Sequence, residues 1–221
     1  MSVLPPLLPK VDAILILDGD GNRLAGKYYG DFLKKGALEE GKVTSVDEVR
    51  ASFERQLHAK IQGIAARPDA AEVVTVMGRT AVFCGGNTPT ATGSGDVRVV
   101  HVGPPTESEL FLAYLNEGMY DALSNLMGGS TERNMVLDNL ELVFLLIDEH
   151  CDGGIILETD GRKLAAAVLL REDDGRVEEK TSTPGISSFP IGVTTGEMTI
   201  GQAFRQAREQ FMINLTSRDG M

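Results

Sequence analysis

VDAILILDGDGNRLAGKYYG, residues 11–30, sets the frame of the molecule. Its first seven residues are a mainly apolar run rich in branched side chains, as a buried strand requires. DGDGN (18–22) follows, a cluster of residues that tolerate turn conformations, and RLAGKYYG leads out to Tyr28 and Tyr29. Strand, tight turn and strand predict an N-terminal hairpin, and so an antiparallel sheet.

Working outward, residues 31–43 are polar and read as a loop. Ser45 with Glu48 three positions on forms a capping box. Val46, Val49, Phe53, Leu57, Ile61 and Ile64 recur at steps of three or four, which predicts a helix with one buried stripe, closed by Pro68. EVVTVMG (72–78) and RTAVFCG (79–85) read as two strands with Gly78 and Arg79 at the turn. GGNTPTATGSG (85–95) reads as a loop and DVRVVHVG (96–103) as a fifth strand. Thr106 and Glu109 suggest a second capping box. The helix behind it places Leu110, Phe111, Tyr114, Leu115, Gly118, Met119, Ala122, Leu123, Leu126 and Met127 on one face, and Gly128-Gly129 stops it. A third helix is expected from about Thr131 to His150, apolar nearly all round in LVFLLI (142–147). ILETDGRKLAAAVLLRED then reads as an extended piece and a short helix, 172–198 as a linker, and 199–216 as a last helix. That helix carries Ile200, Phe204, Ala207, Phe211 and Leu215 on one stripe. The order predicts an α+β domain over 1–160, a five-stranded, mainly antiparallel sheet flanked by helices. A C-terminal extension with linker and terminal helix follows over 161–221.

Composition narrows the function. With 21 basic and 32 acidic side chains among 221 residues, the net charge of −11 opposes nucleic acid and anionic membranes as main partners. The longest apolar run, Leu164–Leu170, is far short of the roughly 20 residues of a membrane-spanning helix. MSVLPPLLPK lacks the pattern of a signal peptide, so Cys84 and Cys151 are expected as buried thiols in a cytoplasmic chain. The charge is also local, because residues 141–180 hold eleven acids against five bases.

Catalytic and ligand motifs fail one by one. GALEEGK (36–42) has the opening of a phosphate-binding loop, but Val43 stands where a magnesium-binding hydroxyl is needed and Glu39 and Glu40 would repel phosphate. DGDGN begins like a calcium loop, yet Arg23 replaces the required glycine and Tyr29 the bidentate glutamate. In DEHCD (148–152) consecutive side chains diverge around a helix, and no second Cys or His cluster completes a metal shell. His58, His101 and His150 have no G-x-S-x-G partner. No catalytic residue, cofactor or metal is expected.

Three stretches carry a family resemblance. AILILDGDGNRLAGKYY (13–29), then SEL (108–110) with LN (115–116) and YDAL (120–123), then VLDNLELVFLLIDEHCDGGIILETD (136–160) together resemble the zeta subunit of coatomer, the COPI vesicle coat, in the adaptor small-subunit family. The resemblance implies a longin-like fold and no enzyme activity. It implies the large coatomer gamma subunit as direct partner, other coatomer subunits around it, and indirect recruitment by Arf-family GTPases to Golgi membranes and COPI-coated vesicles. The implied role is Golgi-to-ER retrograde and intra-Golgi transport, with membrane contact only through the complex. GALEEGK, 85–95 and 172–198 look longer than usual for the family. The surplus apolar surface of the third helix points to partner contacts at Leu142, Leu145, Leu146, Asp152, Gly153, Gly154 and Ile156, with internal packing as the competing reading. A sigma-type clathrin adaptor subunit is the alternative within the fold, disfavoured by IDEHCDGGIILETD. A P-loop nucleotide hydrolase using Lys42 is the alternative from another class.

Overall fold

A computed structural model describes residues 10–31, 33, 45–64, 66–67, 69–86, 88–90 and 93–175, the side chains of 88–90, 93–95 and 171–175 excepted. The chain divides into two compact units, Met1–Leu170 and Arg171–Met221. The GALEEGK loop, Pro68 and the segment expected as the last helix lie outside the described residues.

The N-terminal hairpin forms as the sequence predicts. Strand β1 (Ala13–Leu17) pairs antiparallel with β2 (Arg23–Tyr28), Ala13 opposite Tyr28. Asp18 organises the turn: its Oδ1 accepts from the backbone N–H groups of Asp20 (3.0 Å) and Asn22 (2.8 Å). Strand β3 (Glu72–Val76) pairs with β4 (Arg79–Gly85). The turn between them is Met77-Gly78 and not Gly78-Arg79. Both residues have positive φ, +47° and +71°, the backbone hand that matches strand twist in a two-residue hairpin. Strand β7 (Arg98–Gly103) lies between β1 and β4, so the sheet order is β2-β1-β7-β4-β3, antiparallel throughout. Within the expected loop 85–95, β5 (Thr88–Thr90) and β6 (Gly93–Gly95) form a separate two-stranded ladder.

Helix α1 (Val46–Ile61) begins at the Ser45 box. The Ser45 hydroxyl accepts from Glu48 N and the Glu48 carboxylate accepts from Ser45 N, both at 3.2 Å. The helix ends at Ile61, seven residues before Pro68: Gln62 turns extended and Gly63 follows at φ +77°. Ile64, read as part of the stripe, is therefore outside the helix and exposed. Val49, Phe53, Leu57 and Ile61 cover one sheet face together with Leu15, Leu17, Phe83, Val100 and Val102.

The other face is covered by α2 (Glu109–Leu126) and by α4 (Leu140–His150). The cap of α2 is Ser108, whose hydroxyl accepts from Phe111 N at 3.4 Å. Thr106 lies in a turn closed by Glu107 N donating to Pro104 O. The single helix expected over 131–150 is two, α3 (Arg133–Asp138) and α4, because Asn139 (φ −125°, ψ 32°) interrupts the ladder and its side-chain amide donates to Met135 O. A two-residue hairpin, β8 (Cys151–Asp152) and β9 (Ile155–Ile156), leads to α5 (Gly161–Gly175). Residues 172–175, expected in the linker, belong to α5.

Candidate partner-binding surface

Helix α4 divides its side chains sharply. Leu142, Val143, Leu146, Ile147 and His150 are buried, Leu145 is half-buried, and Phe144 stays 42% exposed. Two of the residues expected to meet a partner, Leu142 and Leu146, are therefore part of this chain's own interior, on the stripe that packs towards the sheet. Lys27 of β2 pairs with Asp148 and ties the helix to the sheet edge.

The Asp-Gly-Gly corner follows directly on the end of α4. Gly153 (φ +57°) and Gly154 (φ +86°) make the β8–β9 turn, a backbone that L side chains adopt only with strain. Gly154 also touches the segment that leads into β1: its carbonyl accepts from Val11 N at 3.0 Å, and a Cβ there would stand 2.8 Å from Val11 O. The Tyr29 hydroxyl donates to Cys151 O at 3.3 Å. Asp152 and Gly153 are exposed, Gly154 is buried, and Ile156 is half-buried. Ile155 and Leu157, which the sequence reading did not single out, are 43% and 60% exposed.

Beneath this corner lies a polar network that joins three elements. His101 (β7) and His150 (α4) are both fully buried, their Nε2 atoms 2.9 Å apart. The Asn116 amide of α2 donates among His101 Nδ1 (2.9 Å), Val99 O (3.0 Å) and Val82 O (3.3 Å). His150 Nδ1 lies 2.7 Å from Glu158 O. One assignment satisfies every ring nitrogen: His101 accepts at Nδ1 and donates from Nε2, and His150 accepts at Nε2 and donates from Nδ1 to Glu158 O. Both rings are then neutral. Burial lowers His101 well below its ordinary pKa, with His150 adding repulsion, and burial brings His150 down to about 4 against the raising effect of the Glu158 carbonyl. Nothing in the spacing of residues 101, 116 and 150 announces this contact.

Chemistry finds no foothold in the same region. Along DEHCD, Asp148 pairs with Lys27, His150 and Cys151 are buried, and Asp152 faces solvent. Among the described residues no three His, Cys, Asp or Glu side chains gather in a metal-binding group. Cys84 and Cys151 are free and buried, and burial pushes the Cys84 thiol up to about 12, far from a reactive thiolate. Among the described residues no helix is long and apolar enough to cross a membrane.

A five-stranded antiparallel sheet with α1 on one face and α2 and α4 on the other is a longin-like fold of the kind found in adaptor small subunits. No protein-family model matches the chain. It is similar to coatomer subunit zeta-1 of Arabidopsis thaliana (32% identical over 209 residues, 95% of this chain and 98% of the relative) and to coatomer subunit zeta-1 of Homo sapiens (34% over 186 residues, 84% and 92%). A chain of a homology model of the full-length AP-3 complex in a stretched open conformation overlays with TM-score 0.42 at 16% identity, covering 75% of this chain and 95% of that chain. The chain belongs to the coatomer zeta subunit family.

Proposed function

We propose that the protein is a non-enzymatic small subunit of the COPI coat. It scaffolds by binding the large gamma subunit inside a multi-subunit complex, from which other coatomer subunits and, indirectly, an Arf-family GTPase are reached. Its place is the cytoplasm, with recruitment to Golgi membranes and COPI-coated vesicles, and its role is Golgi-to-ER retrograde and intra-Golgi transport. The observation that carries this reading is family membership over most of the chain, 34% identity across 84% of it.

The binding surface proposed is the outer side of α4 and the corner behind it. Leu145, Asp152, Gly153 and Ile156 keep their proposed place there, joined by the exposed Phe144 and Ile155. Leu142, Leu146 and Gly154 hold that surface from within. Glu141 and Asp152 edge it with negative charge beside the Lys27–Asp148 pair, so association should weaken modestly as salt is raised.

The test is purification of the tagged chain from cytosol beside a Phe144→Asp, Ile155→Asp variant. The parent should bring down a subunit much larger than itself, identified by mass spectrometry as coatomer gamma. The variant should keep the parent's circular dichroism and melting curve and lose that subunit. Recovery of the parent alone counts against the coat assignment; equal recovery by both proteins counts against this surface.

A further inference from the structure

A second surface lies on α2, where the sequence periodicity predicts burial and the structure shows exposure. At about 100° per residue, Leu110 stands about 180° round the helix from the buried Met119. Leu110 is 84% exposed and Tyr114 is 57% exposed. Asp121 continues the same outward ridge, and the half-buried Glu117 lies on it with its carboxylate accepting from Ala71 N at 3.2 Å, so the first half of the ridge is apolar and the second half acidic.

The segment before α5 lies alongside. Thr159 Oγ1 meets the Tyr114 hydroxyl at 3.5 Å, a Cβ on Gly118 would strike the Thr159 carbonyl, and one on Gly161 would meet Asp121 Oδ2 and Gly118 O, each at 2.6 Å. Segment and helix therefore run in the same direction. Two extended residues back from Thr159 is about 7 Å, and four helical residues back from Tyr114 is about 6 Å. Leu157 thus comes level with the Leu110–Tyr114 end, and Asp160 with the Glu117–Asp121 end. Leu110 and Tyr114, one turn apart on the ridge, and Leu157 in the segment that runs beside it are exposed apolar side chains followed by carboxylates, a patch of the kind that partner binding covers. Around it, six carboxylates (adding Glu107, Glu109 and Glu158) stand against Arg162, Lys163 and Lys10, whose backbone N–H donates to Glu107.

We propose that this ridge and the adjoining Leu157 segment dock an amphipathic helix of a partner protein, one presenting leucine-type side chains to Leu110, Tyr114 and Leu157 and Lys or Arg to Glu117, Asp121 and Asp160. Charge complementarity selects this occupant. A second copy would bring an acidic rim against an acidic rim, in a chain of net charge −11. The surface is a different one from the outer side of α4, and it can fail while the coat assignment stands.

The probe is a fluorescein-labelled, 18-residue synthetic Leu/Lys peptide with its leucines on one helical face, titrated with the full chain and read by anisotropy; a Leu/Glu peptide is the control. The Leu/Lys peptide should bind and the Leu/Glu peptide should not. Leu110→Asp and Asp121→Lys should each weaken binding by about tenfold or more, a loss of about 1.4 kcal/mol. Asp47→Lys, the same charge change on α1, should cost less than about twofold. Circular dichroism confirms that each variant folds. No binding, or equal weakening by Asp47→Lys and Asp121→Lys, overturns the proposal. So does a concentration-dependent dimer abolished by Leu110→Asp, which assigns the ridge to a second copy. A peptide admitted only after Phe204→Ser and Phe211→Ser assigns it to the chain's own C-terminal segment, with the same consequence.

Discussion

The two faces of the sheet are built on different terms. On the α1 side Val49, Phe53, Leu57 and Ile61 interlock with apolar strand residues, and the buried charge on that face, Arg98 of β7, sits at its margin and donates to Ile64 O. On the α2–α4 side the interior contains His101, Asn116 and His150, while Leu110, Tyr114, Phe144 and Leu157 are left outside. The first face looks finished by the chain itself. The second spends interior space on hydrogen bonds that fix how β7, α2, α4 and the segment at Glu158 sit together, and keeps apolar surface outside. A face that must hold its shape for a partner has reason to be built so, because directional bonds define an arrangement more narrowly than apolar contact does.

The largest expected effect tests the finished face. Phe53 is fully buried in the α1 cluster, so Phe53→Ala should cost about 3–5 kcal/mol in urea unfolding. A loss under about 1 kcal/mol would mean that this face can collapse around a cavity and is not the rigid side of the pair.

The polar face answers to acid. His150 is held neutral with a pKa of about 4 against an ordinary value of 6.5, and His101 is shifted in the same direction by burial and by His150 beside it. A base with a depressed folded-state pKa binds fewer protons folded than unfolded. Its contribution is therefore full above pH 6.5 and is lost as the pH falls towards 4. From the His150 shift alone the loss is roughly 3 kcal/mol over that window. Unfolding free energies measured from pH 7 to 4 should show it, and a His101→Leu, His150→Leu double variant should be flatter. A double variant as steep as the parent would place the sensitivity elsewhere.

How much of this was legible follows the range of the interactions. The hairpin at 13–28 and the Ser45 box were readable because every deciding contact lies within a few residues. The α2 cap misled because Thr106 and Ser108 both offer a hydroxyl near the helix start, and only the turn closed on Pro104 O decides between them. Periodicity found the buried stripe of α2 but not its width, and so swept in Leu110 and Tyr114. The break at Asn139 depends on one side chain reaching back to Met135 O. Leu142 and Leu146 read as surplus apolar surface in the sequence, because the all-round apolar pattern of 142–147 does not say which way α4 turns. The histidine network is the extreme case, because residues 101, 116 and 150 meet only once β7, α2 and α4 are stacked.

Single and double substitutions separate the members of that network. His150→Leu alone leaves the His101 Nε2–H buried without its acceptor, a cost of about 1–3 kcal/mol. Adding His101→Leu removes the stranded donor, so the double variant should lose less than the two singles summed. Strict additivity in a urea-unfolding cycle would show that the two rings do not act as a unit.

The smallest effect sharpens the comparison most. Leu110 is 84% exposed, so Leu110→Ser should change stability by less than about 0.5 kcal/mol, although it removes a large apolar side chain. Phe53 and Leu110 are both apolar residues on amphipathic helices packed against the same sheet, and the sequence pattern treats them alike. If truncating one costs several kcal/mol and truncating the other almost nothing, Leu110 is not retained for the fold of this chain. Its role then lies in an encounter that the isolated protein does not make. A loss of about 2 kcal/mol on Leu110→Ser would instead show that the chain covers the ridge itself, and the two faces of the sheet would be equally complete.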